Sequence, residues 1–324
     1  MISRRSAMLA LGLPLAATAL GAAASDYPLK PIKVVVPFPP GGGGDNQARL
    51  VLTRAARELG QPIIFENIAG AGGNVGAQQV TRAAADGYTL LYGTNGTHGI
   101  NHALYKNPGF NPLKDFEPVS RLTSIPALLV TRPDAPERSV ADLIQRMKQK
   151  PGATTFASAG NGTTSHLAGE MLKSSAQVDV VHVPYKGGAA ALVDLLAGRV
   201  DFMIDVMPNT APQVRGGRLK ALAVTSARRN TSFPDVPTMA EAGVPGFQVT
   251  AWDALFAPAG TPRALVDRLN AAVNKALADP QLREQLASRG SEAAGGTPEE
   301  LGRFVASEMG RWGAAVKRSG AAVD

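Results

Sequence analysis

The tightest constraint on the fold lies at residues 33–49. An apolar run at 34–36 meets prolines at 37, 39 and 40, then four glycines, Gly41, Gly42, Gly43 and Gly44, and then Asp45. The apolar run reads as a buried strand, and the prolines, which cannot feed a sheet ladder, end it. Glycine tolerates positive φ and close backbone approach, as a tight turn requires. Beyond Asn46, apolar residues recur at Ala48, Val51, Leu52, Ala55 and Leu59 with helical spacing, and Gly60 closes the run. A strand that passes through a glycine turn into a helix aims several backbone N–H groups at one spot, and the helix dipole adds to them. Such a turn receives an anion, or it is simply a tight βα connection; one turn alone does not separate the two.

The same alternation continues. Strands are predicted at 63–66 and 89–92. Asn74 is placed as the cap of a helix running to about residue 84, and a polar turn follows at 93–99. This β-α-β-α-β order implies a parallel sheet covered on both faces. A strand at 127–131 opens a second series. Ser139 caps a helix at 140–148, followed by strand 154–158, turn 159–165, helix 167–173, strand 178–185, helix 189–197 and strands 200–205 and 219–225. Residues 247–257 are again extended, and the tail is amphipathic helix at 261–278, 281–288 and 298–317. Residues 154–163 echo the opening stretch: strand, glycine-rich polar turn, helix. Two such turns, one in each half, predict two helix N-termini facing across a cleft, which suits a ligand with one or two carboxylates. Each charge-assisted hydrogen bond contributes about 1.5–3 kcal/mol, and a handful supports micromolar binding near about −8 kcal/mol.

The first residues predict export. A short basic segment at 1–6, an apolar run at 7–21 and three alanines at 22–24 form a secretory signal peptide cut near Ala24. Its apolar run is too short for a membrane span. Ser3, Arg4 and Arg5 leave both the general and the twin-arginine routes open. The mature chain is expected in the periplasm, long enough for two domains. There is no cysteine, which excludes thiol catalysis and cysteine-bound metal. Two of the 33 basic residues fall in the leader, so the mature chain keeps a thin surplus of five over 26 acids. Without a Lys/Arg block or many aromatics, that surplus gives no nucleic-acid footprint.

Sharper chemistry fits poorly. A dinucleotide fingerprint starting at Gly41 needs glycine where Asn46 stands, and one starting at Gly42 needs it where Gln47 stands. A nucleophile elbow around Ser158 has Phe156 in its first glycine position. An exported α/β serine hydrolase using Ser158 with His166 or His182 is the alternative from another class. His98 and His102 have an i, i+4 spacing, but the sequence nominates no third zinc ligand. Asp205 ends a strand on the side where open α/β sheets take ligands.

Residues 27–32, 36–43 and 70–76 are joined by 156–162, 182–187, 221–226, 234–238 and 256–262 in carrying a resemblance that runs from about residue 27 to the C-terminus. Among these stretches are His182-Val-Pro-Tyr-Lys-Gly187 and Phe256-Ala-Pro-Ala-Gly-Thr-Pro262. The chain resembles the Bug (TctC-like) extracytoplasmic solute receptors of tripartite tricarboxylate transporters.

The resemblance implies an α/β fold of the two-domain periplasmic-binding-protein type II (Venus flytrap) class. Residues 25–126 with 250–324 would form one domain and 127–249 the other, with two strands crossing between them. It implies a non-enzymatic receptor for a small organic carboxylate, without cofactor or metal, monomeric, serving membrane transporter subunits where these exist. Carried over by position, ligand contacts fall on Phe38, Gly41, Gly42, Gly43, Gly44 and Asp45, and on Thr94. In the other domain they fall on Ser158, Asn161, Gly162, Thr163, Ser165, His166, Tyr185 and Asp205. Two positions depart from the family pattern. Gly44 replaces a frequent hydroxyl residue, and Asp253 stands where a small or apolar residue often follows the tryptophan.

Overall fold

The computed structural model describes residues 27–319 and 321–323; the predicted leader lies outside them. Ile32–Val36 (β1) is buried at all positions but Lys33. A strand apolar on both faces belongs inside a sheet with helices above and below. It runs parallel to Ile63–Asn67 (β2) and Thr89–Thr94 (β3).

Between β1 and β2 lies Gly43–Leu59 (α1), and between β2 and β3 lies Asn74–Thr81 (α2). Helix α1 starts earlier than its apolar periodicity marks, inside the glycine run, because Gly43 and Gly44 have no side chains for a pattern to register. It stops where predicted: Gly60 takes φ 73° and returns its N–H to Ala56 O. The expected cap at Asn74 does not form. Gly73 holds that position at φ 99°, and the Asn74 side chain instead accepts a bond from Asn101 Nδ2 at 2.6 Å.

After a π-helical turn at Gly96–Ile100 and the short helix Asn101–Leu104 (α3), the chain enters Phe116–Thr131 (β4). Only the last part of this 16-residue strand is legible in the sequence, because Glu117, Ser120, Arg121, Thr123 and Ser124 interrupt the apolar run before it. Its first part, up to Pro126, pairs antiparallel with Thr250–Pro258 (β9). Its last five residues, 127–131, pair with Phe202–Val206 (β7), and 128–131 also with Lys220–Val224 (β8). One strand thus serves both halves of the molecule.

The second half follows in order: Val140–Gln149 (α4), Thr155–Ser158 (β5), Thr164–Ala176 (α5), Val181–Pro184 (β6) and Gly188–Leu196 (α6). Strand β7, Met207–Arg215 (α7) and β8 complete it. Arg263–Ala278 (α8), Pro280–Ser288 (α9), Glu292–Ala293 (β10) and Pro298–Ser319 (α10) come after β9. The sheet order is β2-β1-β3-β9-β4-β7-β5-β6, with β8 and β10 also on β4. Two lobes share this curled sheet.

Where the chain crosses between them, Thr225 ties both passages. Its hydroxyl donates to Val249 O at 2.6 Å and accepts the Ala127 N–H at 2.9 Å. Helices α1 and α8 cover one face of the first lobe, with Val51, Leu52, Leu269 and Val273 packed on Val34, Leu90 and Leu255. Fully burying one such side chain contributes about 1.5–3 kcal/mol. The end of α10 carries Trp312, Ala315 and Val316 into the core built around Phe156, Leu167 and Leu172 of the second lobe. Among the described residues no helix is long and apolar enough to cross a membrane.

Candidate functional site: a cleft between two lobes

A cleft opens where the ends of β1, β3 and β9 face the starts of α5, α6 and α7. The first lobe lines it with Phe38, Gly42, Gly43, Gly44, Tyr92, Thr94, Asn95, Gly96, Trp252 and Asp253. The second lobe contributes Thr163, Thr164, Ser165, Lys186, Gly187, Gly188 and Asp205.

Of the helix starts in this lining, two have a glycine at the cap position and no side-chain cap. Gly42 caps α1 with φ −74° and ψ 169°, and Gly187 caps α6 with φ 105°; neither has a side chain to offer. The first amides of both helices are therefore left for another acceptor. Asp45, within the first turn of α1, does not fill that role. Its carboxylate turns back to accept from Gly41 N–H, Asn67 Nδ2 and Arg49 Nε, each at 2.9–3.0 Å. Burial alone would raise its pKa, but these bonds outweigh burial and hold it below the usual carboxylate value. Asp45 and Gly41 therefore build the turn from behind and do not line the cleft.

Helix α5 serves itself. Thr163 Oγ1 accepts from His166 N–H and donates to Gly160 O, and Ser165 Oγ accepts from Ala159 N–H at 2.8 Å. Several other expected contacts also stand behind the wall. Tyr105 OH donates to Asn161 O at 3.0 Å, and a Cβ on Gly162, at φ 81°, would collide with the Asn101 side chain. Asn95 Nδ2 donates to Thr164 Oγ1 at 2.9 Å. These contacts tie the two sides of the cleft together. Tyr185 OH donates to Asp194 on α6 at 2.7 Å.

Ser158 meets His182 Nε2 at 2.6 Å, the pair that the hydrolase alternative needs. Its hydroxyl also accepts Gly160 N–H and is fully buried, without a place in the cleft lining. His166, Glu170 and His182 bring one potential ligand atom each within 4.8 Å, a cluster the sequence did not reveal. It fits a metal poorly. The two imidazoles stack with centroids 4.4 Å apart, so their in-plane lone pairs do not converge. His166 Nδ1 accepts Gly162 N–H, which places its own proton on Nε2. His98 is buried against Phe256 while His102 is exposed, so that pair does not form a site either.

Comparison with known proteins decides the family. The model of the tripartite tricarboxylate transporter family receptor matches residues 47–321. The chain belongs to this receptor family. BugT of Bordetella pertussis is 37% identical to it over 99% of this chain and 98% of its own. A UPF0065 protein from the tcbD-tcbE intergenic region of Pseudomonas sp. strain P51 is 41% identical, over 96% and 93%. Among solved structures, the periplasmic binding protein BugD superposes with a TM-score of 0.87 at 38% identity, over 91% of this chain and 99% of its own. MatC from Rhodopseudomonas palustris with bound malate gives 0.86 at 40% identity, over 90% and 100%. An R. palustris protein with adipate gives 0.89 at 38%, over 92% and 99%. The family is one of receptors.

The receptor's cleft also contains two buried acids. Asp205 accepts from Asn209 Nδ2, and Asp253 accepts from Thr123 N–H, Thr123 Oγ1 and Tyr92 OH. Burial pushes both up to about 6. Burial also pushes His98 down to about 3, His166 to about 4 and His182 to about 3. The signs oppose one another. Below about pH 6 the unfolded chain gains protons on three histidines that the folded receptor keeps neutral, which removes stability. Over the same window the folded receptor gains protons on two acids that the unfolded chain keeps ionised, which restores stability. Among these five groups alone the net linkage between about pH 4.5 and 6 is about one proton, a contribution of about 1.4 kcal/mol per pH unit. Asp205→Asn removes one restoring proton and should steepen the loss of stability on acidification in melting curves recorded against pH.

Proposed function

We propose that this receptor is exported to the periplasm and, as a monomer, captures a small organic carboxylate between its lobes for the membrane subunits of a tripartite tricarboxylate transporter. The observation that carries this reading is the pair of uncapped helix starts, at Gly42 and Gly187, facing one cleft. Charge-assisted bonds of about 1.5–3 kcal/mol each, with a dipole contribution of about 0.3–1 kcal/mol at each helix end, hold a carboxylate there without an arginine. The malate and adipate bound in the two R. palustris relatives belong to the same chemical class.

In this proposal the ligand's first carboxylate sits on the amides that follow Gly42 and Gly187, with Phe38, Thr94, Thr163 and Ser165 around it. The lobes are residues 25–126 with 250–324, and 127–249. They hinge at 126–127 and 249–250, where Thr225 ties the crossings, and closure follows the hinge mode of periplasmic binding proteins.

A thermal-shift panel on residues 25–324, refolded to strip bound ligand, tests it with dicarboxylates, monocarboxylates, amino acids, NAD and neutral sugars. Ligand at 100-fold over Kd adds about 2.7 kcal/mol, a rise of several degrees at roughly 2–4 °C per kcal/mol. The expected result is a shift with one group of carboxylates only. A shift with NAD or a sugar and with no acid contradicts the proposal.

A further inference from the structure

We propose that Asn67, which stands behind the cleft lining, is the positioning residue that keeps the glycine turn in shape for the ligand's carboxylate. The inference rests on the carboxylate-receptor proposal and goes further by naming what holds one of its anion seats ready.

The turn between β1 and α1 runs through Pro39, Pro40, Gly41, Gly42, Gly43 and Gly44. Glycine loses more backbone freedom on ordering than any other residue. Four of them in a row bring no side chains that could hold the turn, so its shape must be imposed from outside. A seat that the ligand itself has to order binds more weakly, because the ordering is subtracted from the affinity.

Asn67 ends β2 and lies in register with Val36, the last residue of β1. Its side-chain amide reaches both ends of the turn. Nδ2 donates to Phe38 O, where the chain leaves β1, and to Asp45 Oδ1 in the first turn of α1, each at 2.9 Å. Asp45 Oδ2 in turn accepts from Gly41 N–H at 2.9 Å. The glycine run is thus bracketed at residues 38, 41 and 45. Arg49 backs the bracket. Its Nη2 donates to Asn67 Oδ1 at 3.0 Å, its Nε meets both Asp45 oxygens at 3.0 Å, and its guanidinium lies over the Phe65 ring at 4.8 Å.

The residue type follows from these partners. Phe38 O and the Asp45 carboxylate both need donors, and Arg49 needs an acceptor. A neutral amide offers two N–H donors and one acceptor oxygen; an ionised aspartate has no donor and a serine only one. Asn67, Asp45 and Arg49 all stand outside the lining that Phe38, Gly42, Gly43 and Gly44 present to the cleft. Their effect on the ligand is therefore one of shape. A turn without its bracket spends only part of the time in the competent form, and apparent affinity falls by that fraction. The loss falls on association. Dissociation is set by the bonds made once the ligand is seated, and these are unchanged.

The test compares Asn67→Ala with the unaltered receptor in two measurements. In the ligand-free protein, the amide order parameters of Gly41, Gly42, Gly43 and Gly44 should drop from about 0.85 to below about 0.6, while those of β1 and β2 hold. In stopped-flow mixing with malate, adipate, succinate, glutamate and benzoate, association of the tightest of these should slow by about 10–100-fold, with dissociation changed by less than about twofold. Asn67→Asp, of the same size, sets a carboxylate against Phe38 O and Asp45 and should slow association at least as much. Arg49→Met alters a half-exposed side chain and releases Asn67 Oδ1 and Asp45 while sparing the bond to Phe38 O, so it should give a smaller slowing of the same kind. This variant keeps the test open if the Asn67 variants do not fold. Order parameters and association unchanged in folded Asn67→Ala, or in Arg49→Met, overturn the proposal and leave the receptor function intact. A weakening carried by faster dissociation overturns it too. If the unaltered receptor binds none of these acids, the carboxylate reading and this proposal fall together.

Discussion

Replacing Gly42 with aspartate is expected to abolish carboxylate binding while leaving the receptor at least as stable as before. Gly42 caps α1 in the extended conformation that N-cap residues adopt, φ −74° and ψ 169°. A Cβ there would meet only Pro39 O, at 3.7 Å, an ordinary contact. An aspartate side chain can therefore fold onto the amide of Gly44 or Asp45 and cap the helix. Against glycine this cap contributes only a few tenths of a kcal/mol, with a further ~0.3–1 kcal/mol from the helix dipole. The melting temperature should hold or rise slightly. The new carboxylate then occupies the place proposed for the ligand's. Losing two charge-assisted bonds and gaining a like charge should weaken binding by roughly 100-fold or more. Gly42→Ser offers a neutral, weaker competitor and should weaken binding much less. Calorimetry and melting curves on both variants check this. A folded Gly42→Asp receptor with near-normal affinity would place the anion site elsewhere.

The second large effect is expected at Glu308, which no motif or spacing singles out. It is buried on α10, where Oε2 accepts from Trp252 Nε1 at 2.7 Å and Trp312 Nε1 at 2.9 Å. Arg311 bonds both of its oxygens at 2.7 Å. Trp252 lines the cleft, and Trp312 belongs to the core that α10 shares with the second lobe. Glu308→Ala strands two buried indole N–H groups at about 1–3 kcal/mol each. The expected loss is about 3–5 kcal/mol, or roughly 10 °C in melting temperature at about 2–4 °C per kcal/mol. Ligand affinity should fall as well, because Trp252 loses the bond that fixes its ring. Glu308→Gln keeps an acceptor oxygen and should recover most of both losses. A melting temperature for Glu308→Ala close to that of the unaltered receptor would show that the two indoles find other partners.

The parts of the molecule legible in the sequence are those written in periodicity and punctuation. Val34, Val35 and Val36 announce β1, and Leu52, Ala55 and Leu59 announce the body of α1. Gly41–Gly44 announce the turn between them. Less legible was anything set by side chains that meet across long separations. The polar first part of β4 is strand because β9 pairs with it from Phe116 to Pro126, through two register shifts at Pro118/Ser120 and Arg121/Thr123. Asp45 carries the residue type of a helix-start acid, and only the spatial nearness of Asn67 shows that it serves the turn. The self-capping of α5 through Thr163 and the stacking of His166 on His182 depend likewise on distances that no spacing rule records. Asp253 was visible as an odd residue after Trp252, but its place in the cleft lining came from the pairing of β9 with β3.

The central claim, that backbone amides at two glycine-capped helix starts hold the ligand's carboxylate, is tested most directly by amide NMR. Residues 25–324 would be titrated with the carboxylate that gives the largest thermal shift. The account predicts that the amide signals of Gly43, Gly44, Gly188 and Ala189 move together to saturation, with the downfield proton shift of new hydrogen bonds to an anion. Saturation with those four signals unmoved, and shifts confined to other parts of the chain, would contradict it.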